Sequence, residues 1–230
     1  MTRKVHPNAA AAVSSADHHH DHHQLYSKPC ADSGSVALTV WKKSLLLNCD
    51  GFTVFDSKGN LVFRVDNYLA SGKGEIFLMD ASGKSLLTIR RKRLSLAENW
   101  LVFEGEEAVN PRFSVRKIVN ILNSTSIAQV SAISICGDHD GINGNKYSRM
   151  ASVKKVKYEI EGSYSRRCCA VYDDKRRCVA EIKRKEAVGQ VVFGADVFRL
   201  ILHEPGLIDS AVAMALVIIL DQMFGSSFHF

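Results

Sequence analysis

Four consecutive cations, Arg90-Arg91-Lys92-Arg93, close an alternating apolar stretch and form the densest candidate for chemistry in the chain. Guanidinium groups offer paired N–H donors that match phosphate oxygens. Each cation near an anionic surface adds about 1 kcal/mol of attraction. The competing reading is a solvated strand end whose charges keep a domain in solution. Just upstream, Gly83-Lys84-Ser85 imitates the end of a phosphate-binding loop. That loop needs a glycine where Leu78 stands, and a helix where Leu86, Leu87 and Ile89 read as a strand, so it is set aside.

A second basic region runs from Arg149 to Lys185 and includes Lys154, Lys155, Lys157, Arg166, Arg167, Arg176 and Arg177. Alternating strands would line these charges along an outer face. Reading nucleic acid directly would instead need a helix or ribbon aimed into a groove, so direct readout is not expected. Gly137-Asp138-His139-Asp140-Gly141-Ile142-Asn143-Gly144 is rich in oxygen ligands, but Ile142 occupies a ligand position of the EF-hand pattern and no glutamate closes it. A long hairpin loop is the plainer reading.

Histidines 18, 19, 20, 22 and 23 form a tract that binds transition metals only adventitiously, without a fixed shell. The six cysteines (Cys30, Cys49, Cys136, Cys168, Cys169, Cys178) show neither a disulfide framework nor zinc spacing, and read as free, mostly buried thiols. His203 and Glu204 are neighbours at a strand end and point to opposite faces, which denies them an acid–base pairing. With no nucleophile elbow, zincin helix or dinucleotide turn, the expectation is no catalytic residue, no metal and no cofactor.

The elements that must position these residues follow from three repeats of one pattern. Phe55-Asp56-Ser57-Lys58-Gly59, Met79-Asp80-Ala81-Ser82-Gly83 and Tyr172-Asp173-Asp174-Lys175-Arg176 each end a strand, turn on an aspartate and lead into another strand. Gly59 and Gly83 supply the left-handed position of such turns, whereas Arg176 implies a different solution for the third. No helix-length pattern separates these strands, so they predict an antiparallel meander. Then Asp209 to Phe224 reads as a helix that is apolar on every side from Ala211 to Leu220. Such a helix must be surrounded by protein, and it is shorter than the roughly 20 residues a bilayer span requires. The expected fold is mainly β: a closed antiparallel barrel wrapped around a central hydrophobic C-terminal helix, with Leu216 and Ile219 in its core.

The meander ending in Ala195-Asp196-Val197-Phe198-Arg199-Leu200, followed by Pro205-Gly206 and the Asp209–Asp221 helix, resembles the plant LURP-one-related family. That family is grouped with the tubby C-terminal domain and the phospholipid scramblases, so the resemblance implies a tubby C-terminal-like barrel. It also implies a relation to membrane-tethered transcription regulators, and a link to plant defence. In the tubby domain a similar Gly-Lys turn, apolar strand and basic run holds phosphoinositide headgroups. That carries over to Arg90, Arg91, Lys92 and Arg93, although here Leu94, Ser95 and Leu96 cut the run short.

Three domains are expected: a disordered His/Ala-rich tail over residues 1–34, the barrel over 35–226 and a short tail over 227–230. The first tail carries three basic residues (Arg3, Lys4, Lys28) and three acidic ones (Asp17, Asp21, Asp32), so the net charge of +6 belongs to the barrel. No secretory leader is read from the weak Ala9–Val13 stretch, so Asn123-Ser124-Thr125 is not expected to be glycosylated. The resulting expectation is a monomeric, non-enzymatic regulatory or interaction module. It is cytoplasmic, with peripheral-membrane or nuclear stations, and its partners are an anionic membrane lipid and an unidentified protein. The alternatives are a scramblase-type lipid-active membrane protein, whose C-terminal helix would insert in the bilayer, and a DNA-binding regulator.

Overall fold

The computed structural model describes residues 34–46, 50–67, 74–93, 95, 98–119, 125–134, 152–187, 193–204 and 206–225. The histidine tract, the Gly137–Gly144 loop, Asn123 and Ser124 of the sequon, Cys30, Cys49 and Cys136 lie outside the described residues, as do Arg149, Leu94, Leu96 and Pro205. The two tails lie outside as well, apart from Gly34.

Twelve strands form one sheet: β1 (Val36–Trp41), β2 (Asp50–Phe55), β3 (Leu61–Asn67), β4 (Glu75–Asp80), β5 (Ser85–Arg91) and β6 (Asn99–Glu104), followed by β7 (Pro111–Lys117), β8 (Ser126–Ser134), β9 (Ser152–Ser163), β10 (Cys168–Asp173), β11 (Cys178–Arg184) and β12 (Val197–Leu202). Each strand pairs antiparallel with the next, and β1 pairs with both β2 and β12. The long-range pair runs from Val36 against Leu202 to Trp41 against Val197 and closes the barrel. Inward positions follow the pleat: Leu38 and Val40, Ile76 and Leu78, Phe113 and Val115, Tyr158 and Ile160, Phe198 and Leu200 are all buried.

The helix α1 (Ser210–Phe224) fills the lumen. Asp209 caps its start, its carboxylate accepting from the backbone N–H of Ala211 and Val212 at 3.0 and 3.1 Å. Every residue from Val212 to Asp221 is buried. An apolar helix inside a closed sheet satisfies both partners: the sheet loses its edges and the helix loses its exposed face.

The three aspartate turns share one geometry. In each, a single carboxylate oxygen accepts from two backbone N–H groups: Lys58 and Asn60 for Asp56, Ser82 and Lys84 for Asp80, Lys175 and Arg177 for Asp173. A one-residue register shift precedes each turn. Here one expectation is corrected. Arg176 does not impose a different solution; it adopts the same left-handed conformation (φ 61°) as Gly59 and Gly83. Its strain is offset by contacts glycine lacks: it lies 4.6 Å over the Tyr172 ring and pairs with Glu159 and Glu161 at 3.1 and 2.8 Å.

These turns make acid sensitivity local. The Asn60 side chain holds the Asp56 carboxyl below the usual carboxylate range, and the Ser82 hydroxyl does the same for Asp80. A carboxyl whose folded pKa is depressed contributes stability that is complete above its unfolded value of about 4, and loses it as pH falls through the lower folded value. The double variant Asp56→Asn, Asp80→Asn keeps the acceptor oxygens and deletes the titration. Its melting temperature is expected to fall less steeply below pH 4 than that of the parent. Superimposable acid limbs would contradict this account.

Candidate functional site: a basic rim around the helix C terminus

Antiparallel order sorts the strand ends onto two rims. One rim holds the ends of β1, β3, β5, β7, β9 and β11 together with the C terminus of α1. The other holds the three aspartate turns and the start of α1.

The C-terminal end of α1 carries the negative pole of the helix dipole and has no basic residue of its own in the last turn. The barrel supplies the missing cations. Lys117 Nζ donates to the Met223 carbonyl at 2.8 Å, pairs with Glu98 at 3.1 Å and lies 4.5 Å over the Phe224 ring. Lys42 pairs with the buried Asp221 at 3.2 Å, and the Tyr164 hydroxyl donates to the same carboxylate at 3.1 Å. Burial, and next the charge of Asp221, push the Tyr164 hydroxyl far above its ordinary pKa, so it remains a donor.

Arg167 corrects the expectation that the second basic region lies wholly outside. It is buried, with its guanidinium 4.2 Å from the Tyr164 ring and 4.3 Å from Phe198, and its Nε donates to the Ala195 carbonyl. Its φ of 52° at the tight β9–β10 turn swings the side chain inward, away from the pattern of the flanking strands. Arg166 beside it is exposed.

The four-cation run divides. Arg90 lies on the outer wall opposite Glu75 in register, ion-paired to it, with its guanidinium 5.7 Å from the Phe103 ring. Arg91, Lys92 and Arg93 leave the strand at the rim, exposed and without an ion pair among the described residues. Arg166 and Arg184 share that rim and that condition. Most carboxylates nearby are taken: Asp66 by Arg64, Glu75 by Arg90, Glu98 by Lys117 and Asp221 by Lys42. Asp50 and Asp196 stay exposed. Three apolar side chains also project here: Trp41 at 42% exposure, Leu45 at 53% and Val119 at 79%. Lys43 lies 5.3 Å over the Trp41 ring. Only the cations were legible in sequence; nothing in the residues around Trp41 and Leu45 marks them for the rim.

Of the three described cysteines, the expectation of burial holds at Cys169 and fails at Cys168. Cys169 is buried, Cys178 half-buried and Cys168 exposed. Burial pushes the Cys169 thiol up to about 12 and the Cys178 thiol up to about 11, so neither has the thiolate character of a nucleophile at neutral pH. A cleft of about 540 Å³ on the outer wall is lined by Thr39, Asp56, Lys185, Glu186 and Arg199 among others, and within it Lys185 Nζ donates to Thr39 Oγ1 at 3.4 Å. Among the described residues no helix is long and apolar enough to cross a membrane. Because α1 lies inside the barrel, bilayer insertion would require it to leave its own core.

A twelve-stranded antiparallel barrel closed on its C-terminal helix, with a cationic rim at one end, defines the class: a plugged-barrel module. The chain belongs to the LURP-one-related family, whose model matches residues 36–221. It is 50% identical over 202 residues to Protein LURP-one-related 8 of Arabidopsis thaliana, covering 86% of this chain and 92% of that protein. Protein LURP-one-related 17 of the same plant is 40% identical over 212 residues, covering 86% of this chain and 88% of the relative. The X-ray structure of a protein from Arabidopsis thaliana matches with a TM-score of 0.55 and 20% identity, over 83% of this chain and 91% of that one, which supports the fold alone.

Proposed function

We propose that this LURP-one-related protein is a non-enzymatic regulatory or interaction module. It docks on anionic membrane through the rim around the C terminus of α1, with phosphoinositide headgroups as the favoured ligand. The observation that carries this reading is the charge pairing of the rim. Its carboxylates are largely occupied by Arg64, Arg90, Lys42 and Lys117, while Arg91, Lys92, Arg93, Arg166 and Arg184 stay exposed without ion pairs among the described residues. Unpaired cations on the same rim as exposed Trp41 and Leu45 suit a headgroup layer, where an apolar tip enters the interface and cations meet phosphate. A lumen filled by α1 favours recognition at the surface over turnover inside. Released from lipid, the same module would be free to meet a protein partner or move to the nucleus, in keeping with the tubby-like regulators and the defence role that the family resemblance implies.

The test is co-sedimentation of the full chain with vesicles that contain or lack phosphoinositide at matched total charge. Each cation near the surface is worth about 1 kcal/mol, so Arg91→Ala, Lys92→Ala, Arg93→Ala together are expected to weaken binding by roughly 100-fold. Lys58→Ala, Lys84→Ala, Lys175→Ala removes the same charge from the opposite rim and is expected to bind like the parent. Equal losses in both variants would reduce the rim to bulk electrostatics, and absence of binding by the parent would refute docking.

A further inference from the structure

We propose that Cys178, Glu181 and His203 form a binding site for a divalent transition-metal ion of the zinc type on the outer wall of the barrel. Strand alternation alone would put Cys178 and Glu181 on opposite faces. An extra residue in β11 prevents this: Val171 pairs with Ala180 while Tyr172 pairs with Cys178, leaving Val179 unmatched. Val179 and Ala180 are both buried, so Cys178 and Glu181 emerge on the same outer face although three positions apart. The third ligand comes from the end of β12. Leu202 pairs with Ala180, and the His203 backbone N–H donates to the Val179 carbonyl at 3.0 Å, setting the imidazole beside the bulge.

One thiol sulfur, one carboxylate oxygen and one ring nitrogen thus lie within 4.8 Å of one another, all half-buried. Tetrahedral zinc, with bonds of about 2.0–2.3 Å, sets its ligand atoms roughly 3–4 Å apart, which small side-chain rotations reach here. Mixed sulfur, imidazole and carboxylate donors suit zinc better than calcium or magnesium, which take oxygen. Three protein ligands leave a fourth position for water or for a side chain from a partner.

The site has a built-in competitor. His203 Nε2 is 2.9 Å from Glu181 Oε2, and Lys183 Nζ reaches the same oxygen at 2.8 Å. The cation displaces both contacts; Lys183, about half exposed, can swing to solvent. The carboxylate that repels a bare thiolate becomes its co-ligand once a divalent ion lies between them.

The test is a Co²⁺ titration of the metal-free, reduced full-length protein, read in the near ultraviolet for the thiolate-to-cobalt charge-transfer band. Imidazoles of the histidine tract give no such band, and Cys30, which follows the tract, is changed to serine in every protein titrated so that no thiolate joins cobalt held there. One equivalent of band, bleached by Zn²⁺, is the expected result. Cys178→Ser is expected to abolish it, His203→Ala to weaken cobalt affinity at least tenfold, and Lys183→Ala to strengthen it. Cys168→Ser is the control and keeps the band. Far-ultraviolet circular dichroism checks that each variant is folded, and Glu181→Gln, expected to weaken affinity like His203→Ala, stands in if His203→Ala is not. A parent without the band, or a band that survives Cys178→Ser, overturns the assignment.

Discussion

Ile219→Asp is expected to yield a chain that does not fold. Ile219 is fully buried at the middle of α1, with the barrel on every side. The substitution removes about 2–3 kcal/mol of apolar burial. It also places a carboxylate in the lumen without a partner, a further cost of several kcal/mol whether the group ionises or stays protonated. Together these match or exceed a large share of the roughly 5–15 kcal/mol that holds a typical domain together. Ile219→Val, which trims one methyl, is expected to cost only about 1 kcal/mol. Gln222→Glu alters the exposed face of the same helix and is expected to stay within about 1 kcal/mol of the parent. Thermal melting by circular dichroism checks all three, and an unchanged transition in Ile219→Asp would mean that the sheet does not enclose the helix.

Gly162→Ala is the second large effect. Gly162 sits on β9 with φ 108°, a conformation that L side chains rarely adopt. A Cβ there would stand 2.2 Å from the Cys168 carbonyl oxygen on the neighbouring strand. Neither strand can retreat: Gly162 N–H donates to the Thr125 carbonyl at 3.0 Å, and Cys169, opposite it in register, is buried in the core. Backbone strain plus a collision with backbone, which cannot rotate away, is expected to cost about 3–5 kcal/mol. In a domain of this size that is roughly a 10 °C fall in melting temperature. Gly194→Ala, where an added Cβ meets nothing within 4 Å, is the matched control and is expected to melt with the parent. Parity between the two would place the β9–β10 contact elsewhere.

The two effects differ in how far they could be foreseen. Burial of Ile219 was legible because a helix apolar on all sides needs only its own sequence to announce that something surrounds it. The demand on Gly162 was not, since nothing local distinguishes it from a turn glycine; the Cys168 carbonyl reaches it only through β9–β10 register. The aspartate turns were legible for the same local reason as the helix. Arg176 is the instructive exception, because the contacts that hold it in a glycine conformation come from Glu159 and Glu161 on another strand.

The basic run stood out in one dimension, yet sequence gave no means to separate Arg90 from Arg91, Lys92 and Arg93. That division depends on Glu75, which reaches Arg90 across the β4–β5 ladder. Trp41 and Leu45 join the rim only because β1 ends where β5 ends, a consequence of barrel order. Cys178, Glu181 and His203 escaped notice for a sharper reason. Spacing rules for metal ligands assume regular strands, and a single bulged residue changes which face a side chain occupies.

By itself, then, the sequence determined the elements of this protein: which segments turn, which alternate, and which helix must be enclosed. Those follow from backbone preference and hydrophobic period, both set by near neighbours. Only the tertiary structure decided partnership: which cations on the rim are neutralised and which stay open, and which three ligand-bearing side chains meet on the outer wall. Those depend on the register between strands and on closure of β1 against β12, distances in space that residue order does not contain.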